Sequence, residues 1–86
     1  MSYRIEFAPA AEKQLRKLSK SVQRQLAPKI DSLATNPRPH GVEKLVGAQT
    51  LYRIRSGDYR MIYAIQDSIL LVSIVKIGHR KEIYKK

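Results

Sequence analysis

Arginine recurs at short spacing in the second half of the chain: Arg53 and Arg55 within Leu51-Tyr52-Arg53-Ile54-Arg55, then Arg60 within Gly57-Asp58-Tyr59-Arg60. Alternate side chains of an extended strand share a face, so Arg53 and Arg55 point one way and Tyr52 and Ile54 the other. On the following strand Arg60 shares its face with Ile62 and Ala64, and a short hairpin brings it near the arginine pair when the registers match. Like charges this close repel unless an anion lies between them. The planar guanidinium fork matches phosphate oxygens, which makes a phosphodiester the natural ligand. The same residues also suit a plainer role, as edge charges that keep a strand from aggregating.

Further candidates lie in the basic tail His79-Arg80-Lys81-Glu82-Ile83-Tyr84-Lys85-Lys86. Arg80 follows the last strand and adds a cation, which shifts the balance toward a phosphate site. Tyr84 either contributes a phenol to that site or covers the core with its ring. His79 is a secondary acid/base candidate, although a solvated tail accounts for it equally. His40, between Pro39 and Gly41, reads as a loop residue.

Metal chemistry is poorly supported, because Glu6, Glu12, Asp31, Glu43, Asp58, Asp67 and Glu82 are scattered without paired ligand spacing. No metal and no cofactor are expected. The chain has no glycine-rich phosphate loop and no nucleophile elbow, and no helix pair reads as helix-turn-helix. Catalysis would then rest on bases, phenols and cations that stabilise a charged transition state. RNA offers such a route, since its 2′-hydroxyl can attack the adjacent phosphate. Arg53, Arg55, Lys44, Lys81 and Lys85 are the expected contacts to an RNA backbone.

A formal charge of +10 on 86 residues, from 17 Lys plus Arg against 7 Asp plus Glu, implies an anionic partner. Charge does not choose among nucleic acid, an acidic protein and a membrane surface, and Lys13, Lys17, Lys20 and Lys29 are read as solvating helices. The length admits a single domain, residues 1–86, and 43% hydrophobic content argues against disorder. Absence of cysteine excludes disulfides and a thiol nucleophile. The opening residues lack a signal-peptide pattern, and the apolar run Ile69 to Val75 is far short of a membrane span. A soluble, cytoplasmic protein with no membrane association is expected.

Positioning these residues requires a sheet. Residues 2–7 alternate as a strand, with Tyr3, Ile5 and Phe7 on one face. Pro9 opens a helix expected to reach Lys20, and Val22, Leu26, Ile30 and Leu33 mark a second helix capped from Ser19-Lys20-Ser21. Pro28 lies inside that second pattern, where a kink or restart is expected. Strands follow at residues 51–55, 59–66 and 69–77, the last apolar on both faces and so central, closed by Gly78. The expected fold is α+β, in the order β-α-α-β-β-β, with a two-helix hairpin on one face of a mainly antiparallel four-stranded sheet.

The segments Glu43-Lys44-Leu45-Val46-Gly47, Leu51-Tyr52-Arg53-Ile54-Arg55, Gly57-Asp58-Tyr59-Arg60-Met61-Ile62-Tyr63 and Ile77-Gly78-His79-Arg80-Lys81-Glu82-Ile83-Tyr84 together resemble the RelE/ParE superfamily of bacterial toxins. The likeness spans essentially the whole chain and favours the RelE branch. That resemblance implies a RelE-like fold and metal-independent cleavage of messenger RNA in the ribosomal A site, by 2′-hydroxyl attack leaving a 2′,3′-cyclic phosphate. It assigns Arg60 and Arg80 to stabilising the phosphorane, Arg53 and Arg55 to gripping the backbone, and Tyr84 to stacking on a base. Arg53 and Arg55 stand where the best-known member has lysines. Arginine does not give up its proton, so the acceptor of the 2′-hydroxyl proton is left open. The resemblance also implies a RelB-like antitoxin, held in a toxin–antitoxin hetero-oligomer. A ParE-like inhibitor of DNA gyrase, or a non-catalytic basic module that binds RNA or antitoxin, are the alternatives.

Overall fold

The computed structural model describes residues 2–45 and 51–83. The elements run β1 (Arg4–Phe7), α1 (Pro9–Lys17), α2 (Lys20–Ser32), β2 (Glu43–Lys44), β3 (Leu51–Ser56), β4 (Tyr59–Gln66), β5 (Leu71–His79) and α3 (Arg80–Ile83). The sheet order is β1-β5-β4-β3-β2, with β1 parallel to β5 and the other pairings antiparallel. It therefore has five strands rather than the expected four. The additional one, β2, is a two-residue rung that exists only through its pairing with β3, so no local alternation announces it.

The helices lie on one face, as the strand-helix-helix-strand order requires. Ala11, Leu26, Ile30 and Leu33 meet Ile54, Met61, Tyr63, Val72, Ile74 and Ile77 in one buried cluster. The first helix stops at Lys17, not Lys20, because Leu18 and Ser19 turn extended for Ser19 to cap the second. Its hydroxyl accepts from the Val22 amide at 3.2 Å, satisfying a donor that the first turn leaves open. Contrary to expectation, α2 continues through Pro28. Proline there forfeits one backbone hydrogen bond, while buried Leu26 and Ile30 hold the turns on either side against the core.

The last strand begins at Leu71 instead of Ile69. Asp67–Ile69 forms a 3₁₀ turn, Leu70 takes a left-handed conformation at φ 51°, and Ile69 is left 58% exposed. Within β5 the register slips: Ile62 faces Lys76 but Tyr63 faces Ile74, so Val75 is an extra residue. Strict alternation therefore fails, and Val72, Ile74 and Ile77 all reach the core. Beyond the end of β1, the Ile77 amide donates to Gln14 Oε1 of α1 at 2.7 Å. The strand also passes Gly78, the expected end, and closes at His79, after which the chain is helical over Arg80–Ile83. No helix among the described residues is long and apolar enough to cross a membrane.

Candidate functional site

The turn between β3 and β4 sets the site. Gly57 adopts φ +61°, the conformation a two-residue Gly-X hairpin loop demands, and Gln25 of α2 donates to the Ser56 carbonyl at 3.1 Å. Ser56 consequently pairs with Tyr59, Arg55 with Arg60, and Arg53 with Ile62. The bulge at Val75 carries the pattern onward, placing Gly78 beside Arg60 and Lys76 beside Ile62. Across the sheet, one row reads Glu43, Arg53, Ile62, Lys76 and the next Arg55, Arg60, Gly78. Had the alternation of β5 been unbroken, a side chain would stand where Gly78 leaves room beside Arg60.

Arg53, Arg55 and Arg60 line a single cavity of about 190 Å³ with Gly41 and Glu43, on the face away from the helices. The Glu43 carboxylate accepts from Arg53 Nη2 at 2.8 Å. Arg60 Nη1 is shut off from solvent and has no hydrogen-bond partner among the described residues. A buried donor without an acceptor is costly, so it marks a position where an incoming acceptor gains most. Three guanidinium groups against one carboxylate leave the cavity strongly cationic and suited to a phosphate.

The remaining sequence candidates are dispersed. Arg80 is exposed at the Asp58 end of the hairpin, its amide donating to the Asp58 carbonyl at 2.7 Å and its Nε 3.8 Å from the Asp58 carboxylate. His79 pairs with Tyr59 and meets that ring edge-on at 5.5 Å, which puts it on the opposite side of the pleat from Arg60. Its Nδ1 accepts from the Lys81 amide at 3.2 Å, and Lys81 itself is exposed on α3. Lys44, also exposed, pairs with Tyr52 and so alternates away from the Arg53 face. Tyr84 and Lys85 lie outside the described residues. Sequence reasoning passed over Glu43 and Gly41. The available signal was a carboxylate two residues beyond a Pro-His-Gly turn, but its meaning depends on the pairing of β2 with β3.

A second polar cluster holds the loop that delivers these two residues. Arg38 forks onto Asp67, donating from Nη1 at 3.1 Å and Nη2 at 2.8 Å, and its Nε donates to the Tyr52 hydroxyl at 3.2 Å. Tyr3 donates to the same carboxylate at 2.5 Å. These bonds from Arg38 and Tyr3 hold the Asp67 carboxyl down at about 2 and raise Arg38 and Tyr3 in turn. Buried Tyr63 stacks on Tyr52 at 6.0 Å and donates to the Pro37 carbonyl at 2.7 Å. Burial pushes its phenol up to about 12. Gly41, at φ +91°, then turns the chain into β2.

On the helical side, a groove of about 430 Å³ opens between both helices and β1, lined by apolar residues that include Phe7, Leu15 and Ile30 and by the charged side chains of Lys20, Arg24 and Asp31. Among the described residues no three His, Cys, Asp or Glu side chains converge to hold a metal ion.

Comparison with known proteins places this geometry in context. The family model for the ParE toxin of the type II toxin–antitoxin system, parDE, matches residues 5–84. The mRNA interferase toxin RelE of Escherichia coli (strain K12) is 33% identical over 90 residues, covering 100% of this chain and 94% of that protein. The fold is similar to that in the crystal structure of the archaeal RelE–RelB complex from Pyrococcus horikoshii OT3, with a TM-score of 0.82 and 33% identity over 95% of this chain and 99% of that one. It is also similar to the intact E. coli RelBE toxin–antitoxin complex, at a TM-score of 0.80 and 32% identity over 91% and 96% of the two chains.

Proposed function

Because the chain belongs to the RelE/ParE superfamily, as a RelE-like toxin of a type II toxin–antitoxin system, we propose that residues 1–86 act as one domain that cleaves messenger RNA on the ribosome. The observation that carries this reading is the cationic cavity in which Arg53, Arg55 and Arg60 converge and Arg60 keeps a buried nitrogen without a partner. A scissile phosphate entering there accepts hydrogen bonds from Arg60 and offsets part of the charge of the arginine cluster. The 2′-oxygen attacks phosphorus, the bond to the 5′-oxygen breaks, and the products are a 2′,3′-cyclic phosphate and a 5′-hydroxyl. Negative charge grows on the non-bridging oxygens as the phosphorane forms, where fixed guanidinium donors act most strongly. Arg80, at the hairpin end, adds a further cation once substrate spans the sheet, and Tyr84 stacks on a base.

The groups lining the cavity bind phosphate but do little to orient a sugar. In-line attack needs the backbone held in a near-attack geometry, a task suited to the ribosomal A site, and hence to a cytoplasmic protein. A RelB-like antitoxin is the second partner, in a toxin–antitoxin hetero-oligomer. The groove between the helices and β1 suits it, because an apolar lining with two cations against one carboxylate fits an acidic, amphipathic segment.

The test is primer extension on mRNA from a cell-free bacterial translation reaction containing the purified protein, with ribosome-free RNA as control. New ends inside translated codons are expected only with ribosomes. Arg60→Ala should reduce their yield by about 10²–10³-fold, the usual consequence of removing one transition-state donor. Intact mRNA together with trapped complexes of gyrase on cleaved DNA would replace this reading with gyrase inhibition. RNA binding without cut ends would leave a basic binding module.

A further inference from the structure

Lysine is depleted in strands, yet half-buried Lys76 sits in β5 among Val72, Ile74 and Ile77, which all reach the core. No edge-guarding charge is required at that point. β1 ends at Phe7, opposite Ile74, and α1 covers the strand beyond it through the bond from the Ile77 amide to Gln14. What directs Lys76 is the bulge at Val75. Were the register of Tyr63 with Ile74 to continue unbroken, Lys76 would pair with fully buried Met61 and be driven into the core. The extra residue moves Lys76 opposite Ile62 instead, onto the face that carries the arginines.

On that face the surroundings of Arg60 are symmetric. Arg60 has Arg55 directly opposite on one side and Gly78 on the other, while Ile62, the next residue of β4 on the same face, has Arg53 on one side and Lys76 on the other. Arg53 and Lys76 are therefore both diagonal neighbours of Arg60, at backbone separations of about 7–8 Å. Two strand spacings put them about 10 Å from each other, across half-buried Ile62. Arg53 lines the phosphate cavity, and Lys76 lies beyond it, past Ile62.

We infer that Lys76 binds the RNA backbone at a phosphate next to the scissile one, holding the strand across the open face of β4 and β5 while the arginines hold the reacting phosphate. The inference rests on the endoribonuclease reading above and extends that site by one nucleotide.

The residue types fit this division. The scissile phosphate passes through a phosphorane, and planar guanidinium forks fix its oxygens in one geometry. A flanking phosphate undergoes no chemistry, and a flexible stem ending in three rotatable donors follows it wherever the ribosome-held strand runs. Gly78, two residues beyond Lys76 and beside Arg60, leaves that stretch of β5 without a side chain in the path. A phosphate contact carries no base information, so its effect is the same for every codon.

The experiment is single-turnover cleavage of mRNA on programmed ribosomes by the full chain, read as the toxin concentration that gives half the maximal rate. Lys76→Met keeps the apolar stem and removes the charge. It should raise that concentration about 10-fold, the low end of what a hydrogen bond to a charged group contributes, and lower the rate at saturation far less. Lys76→Gln should behave alike, and Lys76→Arg should stay within about threefold of wild type. The assay is repeated on mRNA in which one of the two phosphates flanking the scissile one is a neutral methylphosphonate beside a 2′-deoxy sugar, against mRNA with the deoxy sugar alone. At one of the two positions the methylphosphonate should cost wild type as much as Lys76→Met does. There it should cost the Lys76→Met protein less than about twofold more, a coupling that a structural role would not produce. Losses that add at both positions would overturn the contact, as would Lys76→Met and Lys76→Gln within about twofold of wild type. Either result would leave the endoribonuclease reading intact. If wild type itself fails to cleave ribosome-bound mRNA, that reading falls and this inference with it.

Discussion

Arg55 and Arg60 occupy directly opposed positions across the β3–β4 hairpin, two cations on one face of one rung. Strand neighbours of like charge destabilise a sheet by roughly 0.2–1 kcal/mol. The toxin therefore carries at its candidate site a conflict that an anion relieves. Arg55→Gln should raise stability by about that amount in low salt, read from urea unfolding midpoints. The gain should shrink when sulfate is added, because sulfate bridges the wild-type pair. Identical midpoints for the two proteins in low salt would show that the pair is not in conflict.

The Arg38–Asp67 fork makes a prediction about acid. Asp67 is held at about 2 in the folded protein, against about 3.9 for an unperturbed carboxyl in the unfolded chain. Its contribution to stability is present above pH 4 and is lost as pH falls toward 2. Asp67→Asn should lose stability near neutral pH, and its unfolding midpoint should vary less than that of wild type between pH 4 and pH 2. Parallel curves for the two proteins over that interval would refute the linkage.

Tyr63 makes the opposite prediction about base. Its phenol is pushed up to about 12 by burial, above about 10 in the unfolded chain. Its contribution is present below pH 10 and is lost as pH rises from 10 toward 12. Tyr63→Phe should flatten that alkaline loss. At neutral pH it should cost about 1–3 kcal/mol, because the Pro37 carbonyl loses its donor. Chemical denaturation at pH 7 and pH 11 distinguishes the two effects.

Gly57→Ala tests the turn that sets the arginine register. The backbone is at φ +61°, and an added Cβ would meet Gln25 Nε2 at 2.7 Å. The left-handed conformation alone costs an L-residue about 1–2 kcal/mol, and moving Gln25 aside also breaks its bond to the Ser56 carbonyl. A destabilisation of that size is expected in urea titrations, with faster amide exchange in the Arg55–Arg60 rung. Unchanged exchange there would mean that cross-strand packing, not the turn, holds the register.

Much of this architecture was legible because local patterns carried it. The alternation of Tyr52 and Ile54 against Arg53 and Arg55, the two helical stripes and the Gly-Asp turn each state their element within a few residues. Shared-face reasoning brought Arg60 to Arg53 and Arg55, and the cavity joins all three. The errors came where a tertiary contact overrode the pattern. Pro28 stays helical because buried residues flank it, and the 3₁₀ turn after Gln66 removes Ile69 and Leu70 from the strand that their apolar character suggested.

Composition, charge and periodicity were sufficient for the class of fold and for the face on which the arginines gather, since both follow from residue types and their spacing. Glu43 beside Arg53, Gly78 beside Arg60 and His79 turned away from both depend instead on a pairing between distant strands and on one extra residue in β5. A bulge inverts the facing of every residue beyond it, and a two-residue strand has too few side chains to declare a period. Those relationships exist only once hydrogen bonds between remote segments have formed.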